Sequence, residues 1–151
     1  MAIQFLDLRL SNQNPTDAPP LPVPPTATPA LIGDIGIQTA GVLPGNEGDV
    51  RVLLAGHVTI NTGVVEAAET ITFTVLRNGV PIFTTDFIVQ INALTDSELA
   101  DITATDTPPA ADVLAGEINY TLTVSSTAAV SLATLGARNF SGVAAAGTTT
   151  S

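Results

Sequence analysis

Residues 70–89 read TITFTVLRNGVPIFTTDFIV, and this stretch decides the fold class. Its first half alternates apolar and polar side chains, which places Ile71 and Phe73 on the same side of an extended strand. The dipeptide Asn78-Gly79 then separates two strand-like runs. A two-residue turn of this composition favours a β-hairpin, because both of its residues tolerate a positive φ. The stretch therefore predicts two antiparallel strands joined by a tight turn.

The same two-residue period recurs along the chain from residue 31 onward. It is clear at 50–60 and 117–124, and weaker at 35–43, 129–135 and 138–145. About seven short strands with turn residues between them indicate an antiparallel sandwich. We therefore expect an all-β protein, an antiparallel, jelly-roll-like β-sandwich that carries an extended N-terminal arm.

One short helix is predicted at 95–100, where Thr95 and Glu98 have the spacing of a capping box. The surrounding segment 96–112 is acidic, and its carboxylates are Asp96, Glu98, Asp101, Asp106 and Asp112. Calcium favours such oxygen-rich clusters, but the regular spacing of an EF-hand loop is missing. We therefore interpret the segment as a solvated acidic loop and keep calcium binding as an alternative.

The composition changes near residue 30, and this change sets the domain boundaries. Seven of the 11 prolines lie between residues 15 and 29. Proline excludes helix and central strand, so 11–30 is predicted to be an extended polyproline spacer. Its reach is about 60 Å at ~3.1 Å per residue. We predict three parts: a connector at 1–10, the spacer at 11–30 and the sandwich domain at 31–151.

The connector, MAIQFLDLRL, is too apolar for a free tail. Alternation places its apolar residues on two sides, one with two of them and one with three: Ile3 and Phe5, then Leu6, Leu8 and Leu10. These five residues are the candidate docking residues for a neighbouring subunit, because a donated strand gains main-chain hydrogen bonds there. The alternative is that the segment folds back on its own domain.

Charge and composition exclude several classes of function. The net charge of −10 disfavours nucleic acid and anionic membranes as partners. The chain has no cysteine and a single histidine, His57, so thiolate chemistry and multi-histidine metal sites are excluded. We interpret His57 as a solvated or interface residue. No catalytic constellation is visible, so we expect no enzyme, no cofactor and no bound metal.

Four segments resemble small β-sandwich proteins of Bacillus-type spore surfaces, namely exosporium proteins and endospore appendage subunits. They are IGIQTAGV at 35–42, ITFTVLRNGVPIF at 71–83, YTLTVSS at 120–126 and ARNFSGVA at 137–144. The resemblance implies a jelly-roll domain, often trimeric, whose N-terminal connector links subunits along a fibre. It also implies synthesis in the mother cell without a secretion signal. The chain departs from the disulfide-linked appendage subunits, since its connector has no cysteine.

The sequence therefore predicts a structural protein that assembles with itself into a fibre or surface layer, as a spore appendage or exosporium subunit. The expected partners are further copies of the chain, such as trimers stacked into a fibre, and a spore-surface anchor protein. The expected location is the cell or spore surface after cytoplasmic synthesis, with no signal peptide at the start of the chain. The alternatives are a phage or virus decoration or tail-fibre protein, and a carbohydrate- or calcium-binding module.

Overall fold

The computed structural model describes residues 3–63, 67–90 and 96–147, with the backbone alone at residue 96. This part of the chain forms nine strands, one α-helix and one short 3-10 helix at Glu47–Asp49. The elements are β1 (Gln4–Asn14), β2 (Leu21–Pro22), β3 (Ala30–Gln38), β4 (Arg51–Thr62), β5 (Glu69–Arg77), β6 (Val80–Val89), β7 (Asp96–Asp106), α1 (Ala110–Leu114), β8 (Glu117–Ser126) and β9 (Thr134–Ala146).

The strands form two antiparallel sheets that pack face to face. In the first sheet the order is β1-β9-β4-β7, with β2 paired to the end of β9. In the second sheet the order is β3-β8-β5-β6. Eight long strands shared between two sheets in this interleaved order have the topology of a jelly roll. The predicted all-β antiparallel sandwich is confirmed.

The core lies between the sheets and follows the predicted alternation. On β4, Val52, Leu54 and Ile60 are fully buried, and on β5 the same is true of Ile71 and Phe73. The hairpin between β5 and β6 is also confirmed: Asn78 has φ 49° and Gly79 has φ 82°. Positive φ at both turn residues is what a type I′ turn requires, so the local sequence alone specifies this connection.

The helix predicted at 95–100 is wrong for the part of it that the structure describes. Residue 95 lies outside the described residues, and from residue 96 the chain is strand β7. Every β4 residue from Val52 to Thr62 has a registered partner on β7. This continuous ladder outweighs a local capping pattern, because it satisfies the backbone of both strands. The helix of the described chain is α1, which follows Pro109.

The predicted strand at 138–145 is confirmed as part of β9, which has an irregularity between its pairs with Val58 and Ile60. The predicted strand at 129–135 is wrong for residues 129–133, because β9 begins only at Thr134. The N-terminal segments differ more from their predicted arrangement as a connector and an extended spacer. β1 pairs with β9 of the same chain, from Gln4 opposite Ala146 to Asn14 opposite Arg138. The structure therefore includes the connector in the first sheet, as the fold-back alternative describes.

The proline-rich segment does not extend away from the sandwich but crosses one end of it. Val23 in this segment is buried, and its backbone N–H donates to the Ala133 carbonyl at 3.3 Å. The Pro24 carbonyl accepts from the Ser126 N–H at 2.8 Å. The segment thus leads from β1 in the first sheet to β3 in the second. Prolines suit this path because few of its backbone N–H groups are needed as hydrogen-bond donors.

The side chains of β1 close the free edge of β3. Asp7 accepts a hydrogen bond from the Gln38 backbone N–H at 2.8 Å, and the Ser11 hydroxyl accepts one from the Asp34 N–H at 3.4 Å. Burial disfavours the Asp7 carboxylate, but hydrogen bonds from Arg9 and from backbone N–H groups outweigh this and lower the pKa of Asp7. Polar side chains of the first sheet thereby accept hydrogen bonds from backbone N–H groups of the second.

The two sheets approach closely at this edge because glycine occupies the contact points. A Cβ atom added to Gly33 would lie 2.5 Å from the Cβ of Phe140, which is itself buried. A Cβ added to Gly142 would lie 2.7 Å from the Ile35 side chain. The close approach of the two sheets therefore depends on the absence of side chains at these positions.

We expect Gly33→Ala to lower the free energy of unfolding by about 1–3 kcal/mol, the usual cost of overpacking. Urea unfolding followed by circular dichroism measures it. The matched control is Gly41→Ala, since an added Cβ there meets no atom within 4 Å. Equal stabilities for the two variants would contradict the close approach.

Candidate interaction surface

The single histidine of the sequence, His57, lies on the outer face of the first sheet. Its Nδ1 atom is 2.5 Å from Asp101 Oδ1 on the neighbouring strand β7. Both side chains are more than half exposed, at 53% and 63%. A solvent-exposed pair of this kind contributes little stability, and no hydroxyl nucleophile is hydrogen-bonded to His57 in the described residues. The structure therefore places His57 in an exposed cross-strand pair.

The acidic residues of segment 96–112 do not converge. Asp101 faces His57, whereas Asp106 and Asp112 both pair with Arg77. Glu98 is exposed on β7, and the side chain of Asp96 lies outside the described residues. Within the described part of the chain, no three histidine, aspartate or glutamate side chains come together as a metal site would require.

Arg77, Asp106 and Tyr120 form a polar cluster at one end of the core. Arg77 donates from one terminal nitrogen to both Asp106 oxygens, at 2.8 and 3.0 Å, and its Nε lies 3.0 Å from Asp112. The Tyr120 hydroxyl donates to Asp106 Oδ2 at 2.7 Å. The cluster joins β5 and β8 of the second sheet to β7 of the first and to α1. We interpret it as a tie between the sheets.

The environment of Tyr120 shifts the titration of its hydroxyl strongly. Burial raises the pKa of Tyr120, and the hydrogen bond to Asp106 and the charge of that carboxylate raise it further. Tyr120 belongs to the alternating run predicted at 117–124, but the cluster was not predicted. Its members are far apart in sequence, so no local spacing could have revealed it.

The apolar residues of the connector lie on or beside β1, and the side on which Leu6 lies differs from the prediction. An irregularity in the β1–β9 register between Phe5 and Asp7 reverses the alternation at this point. Phe5, Leu8 and Leu10 consequently share the outer face, whereas Leu6 turns inward and packs against the core. A β-bulge inserts one residue, so side chains on either side of it change face. Ile3 precedes β1 and is 55% exposed.

The outer face of the first sheet carries an apolar area, interrupted only by Ser141 between Leu10 and Ala55, which we name the outer patch. Its residues lie on three adjacent strands: Phe5, Leu8 and Leu10 on β1, Val143 and Ala145 on β9, and Leu53 and Ala55 on β4. Leu8, Val143 and Leu53 stand directly opposite one another in a row across the sheet. A shallow depression of about 400 Å³ adjoins this row, and its lining includes Leu53, Thr105 and Val143.

The outer patch contains no charged residue, and its four large side chains on β1 and β4 are exposed, whereas Val143, Ala145 and Ala55 are half-buried. The exposed fractions are 64% for Phe5, 54% for Leu8, 75% for Leu10 and 46% for Leu53. Arg51 lies at its margin and donates to the Gly147 carbonyl at 3.0 Å. Contiguous exposed apolar area with a polar margin is typical of a protein–protein contact. Chemically, the patch suits a flat apolar partner rather than a small polar ligand.

No helix in the described part of the chain has the length and apolar character needed to cross a bilayer. No protein-family model matches the chain, and no curated protein matches it. Among solved structures, the chain is similar to dimeric latent PorU from Porphyromonas gingivalis, with TM-score 0.43 and 10% identity. That alignment covers 95% of this chain and 13% of PorU.

It is also similar to the arabinose-bound α-L-arabinofuranosidase MgGH51, with TM-score 0.41 and 12% identity. This alignment covers 95% of the present chain and 23% of the arabinofuranosidase. The chain thus spans less than a quarter of either protein. Likeness at this level carries no conclusion about activity.

The Tyr120 cluster predicts a loss of stability at high pH. With no lysine and no cysteine, Tyr120 is the only side chain of the chain that ordinarily titrates between about pH 8 and 12. The folded state raises the pKa of Tyr120 above the ordinary value of 10.0. The contribution of Tyr120 to the free energy of unfolding is therefore complete below pH 10. It is then lost at about 1.4 kcal/mol per pH unit as the pH rises further.

Urea unfolding at a series of pH values from neutral to strongly basic measures this slope. Tyr120→Phe serves as the control: it costs about 1 kcal/mol at neutral pH through the lost hydrogen bond, and it removes the slope at high pH. A tyrosinate absorbance that develops near pH 10 in the folded protein would contradict the assignment.

Proposed function

We propose that this protein is a structural subunit that associates with copies of itself into a fibre or surface layer. The observation that carries the proposal is the outer patch, an exposed apolar area that extends from the edge strand β1 across β9 to β4. Burying a leucine or phenylalanine side chain contributes about 1.5–3 kcal/mol, so a patch of this size supplies substantial binding free energy. Part of this free energy is spent on the entropy lost in association.

The distribution of charge supports a second copy as the partner. The chain carries 14 acidic and 4 basic residues, so two copies repel each other in general. None of the seven outer-patch residues is charged. Two copies that meet through their patches therefore bury apolar area without bringing patch carboxylates together.

The position of β1 supports open-ended assembly. β1 is an edge strand whose ladder partner is β9 alone, and the proline-rich residues 15–29 connect it to β3. Once β2 and Val23 are released from their contacts with their own sandwich, this connection spans about 47 Å when fully extended, which exceeds the ~35 Å diameter of a domain of this size. β1 of one copy can therefore take the β1 position on β9 of the next, with the same register. Exchange from head to tail does not close on itself and builds a fibre.

The resemblance to spore-surface proteins supplies a biological setting for this proposal. In that setting the subunit is made in the mother cell, and its fibres attach to an anchor protein on the spore. The chain has no cysteine, so its fibres rely on strand pairing and apolar packing rather than on disulfides.

A charge placed in the outer patch tests the self-association. We expect Leu53→Asp to weaken association at least tenfold, because each copy would bury a carboxylate in place of a leucine. Light scattering after size exclusion and negative-stain microscopy of the full chain measure it. The matched control is Val130→Asp, on a loop residue that is 82% exposed and lies outside the patch. A wild-type chain that stays monomeric at high concentration would overturn the proposal, as would a folded Leu53→Asp variant that assembles normally.

A pair of cysteines tests the strand exchange separately. Leu10 and Ser141 stand opposite each other on β1 and β9, at a distance that suits a disulfide. We expect assembled Leu10→Cys/Ser141→Cys protein to give a ladder of covalent oligomers on a denaturing, non-reducing gel. The two single-cysteine variants control for contacts between patches. A monomer band alone, with an internal disulfide, would show that β1 stays on its own chain.

A further inference from the structure

The two sheets have four outer strands, and these differ in how well they resist pairing with another chain. A free strand edge presents unpaired backbone N–H and C=O groups, and proteins protect such edges with charge, coverage or irregularity. The outer strands are β1 and β7 in the first sheet and β3 and β6 in the second. Their protection can be read from the residues that each of them carries.

Three of the four edges are protected. The β3 edge is covered by β1, since Asp7 and Ser11 accept hydrogen bonds from its backbone. β1 is irregular and carries the charges of Asp7 and Arg9. β7 bears a row of carboxylates along its length, with the sequence DSELADITATD. In an acidic chain this edge repels a second copy.

The β6 edge is protected only at its start, where Pro81 lies opposite Leu76 beside an irregularity in the β5–β6 register. From Phe83 to Val89 this protection is lacking. The sequence of β6, VPIFTTDFIV, contains a single charged residue, Asp86, and many residues that favour strands. Phe83 and Phe87 point towards the core but are only half-buried. Val80 and Ile88 are exposed, at 60% and 61%. A long, apolar and nearly uncharged edge is suited to accept another strand.

We propose that β6 pairs with β6 of a second copy, antiparallel, around a two-fold axis at Thr85. This arrangement joins two four-stranded sheets into one continuous eight-stranded sheet. Phe83 then lies opposite Phe87 of the second copy, so the half-buried aromatic rings cover one another. Thr84 lies opposite Asp86 of the second copy on the outer face.

The existing contacts of β6 support this register. Asp86 already accepts a hydrogen bond from the Thr72 hydroxyl of β5 at 2.8 Å, and Thr84 lies opposite Thr74. Pairing with a second copy repeats the threonine–aspartate contact on the free side of β6. If the second copy slides by two residues in one direction, Asp86 lies opposite Asp86 and the two carboxylates repel each other. If it slides by two residues in the other direction, Phe83 no longer lies opposite Phe87. An odd slide sets inward residues against outward ones.

This interface goes beyond the proposed function and is independent of it, because β6 belongs to the second sheet and the outer patch to the first. A subunit with two different self-contacts extends an assembly in two directions. The experiment is therefore made in the Leu53→Asp background, where association through the outer patch is suppressed.

The absence of native cysteine makes disulfide trapping direct. Thr85→Cys places one thiol at the two-fold axis, with a Cα separation of about 4.5–5.5 Å across the pair, within disulfide range. We expect mild oxidation to give a covalent dimer. Thr84→Cys is not expected to react with itself, because its diagonal separation is about 8 Å. Thr103→Cys, an exposed threonine on β7, is the matched control.

Opposite charges at one position provide a second test that does not rely on oxidation. We expect Thr84→Arg to tighten dimerisation about fivefold, because two arginine–Asp86 pairs form, and Thr84→Asp to weaken it by a similar factor. The same pair of substitutions at Thr103 is expected to leave it unchanged. Sedimentation equilibrium gives the dissociation constants.

Two results would overturn the proposal. One is a folded Thr85→Cys variant that dimerises no faster than Thr103→Cys, and the other is a preferred Thr84→Cys dimer, which requires another register. If Thr85→Cys does not fold, equal effects of arginine and aspartate at position 84 overturn it instead. None of these results bears on the outer patch, because the Leu53→Asp and Val130→Asp variants test the outer patch by themselves.

Discussion

The antiparallel pairing of β1 with β9 is the contact on which the other surfaces depend. Through it, Asp7 and Ser11 reach the backbone of β3 and close one side of the sandwich. The same strand turns Phe5, Leu8 and Leu10 outward and so completes the outer patch. A strand that is both a structural edge and part of an apolar surface links the stability of the subunit to its association.

Charge is distributed unevenly over this molecule, and the distribution determines which surfaces can meet. Carboxylates line β7, and Asp106 is held in the core by Arg77 and Tyr120. The outer patch has no charge, and β6 has Asp86 alone. In a chain of net charge −10, association is favoured where carboxylates are few or absent. These two surfaces are where self-association is proposed.

The contacts that local patterns encode were predictable, and those formed between distant segments were not. Asn78-Gly79 requires no partner to favour its turn, and the alternation on β4 and β5 reflects the burial of a single face. The prediction of a helix at 95–100 was wrong because β7 is held by its ladder with β4, which local propensity does not contain. The Arg77–Asp106–Tyr120 cluster was missed for the same reason, since three separate strands must meet to form it.

The sequence by itself determined the fold class, because a two-residue hydrophobic period and turn residues are local properties of the chain. It also determined the exclusion of thiol and multi-histidine chemistry, which follows from composition. Only the tertiary structure decided that the N-terminal segment is a strand of the first sheet and that its bulge places Phe5 with Leu8 and Leu10. It likewise decided which edge carries a single charge, since edges and surfaces exist only once strands far apart in sequence have paired.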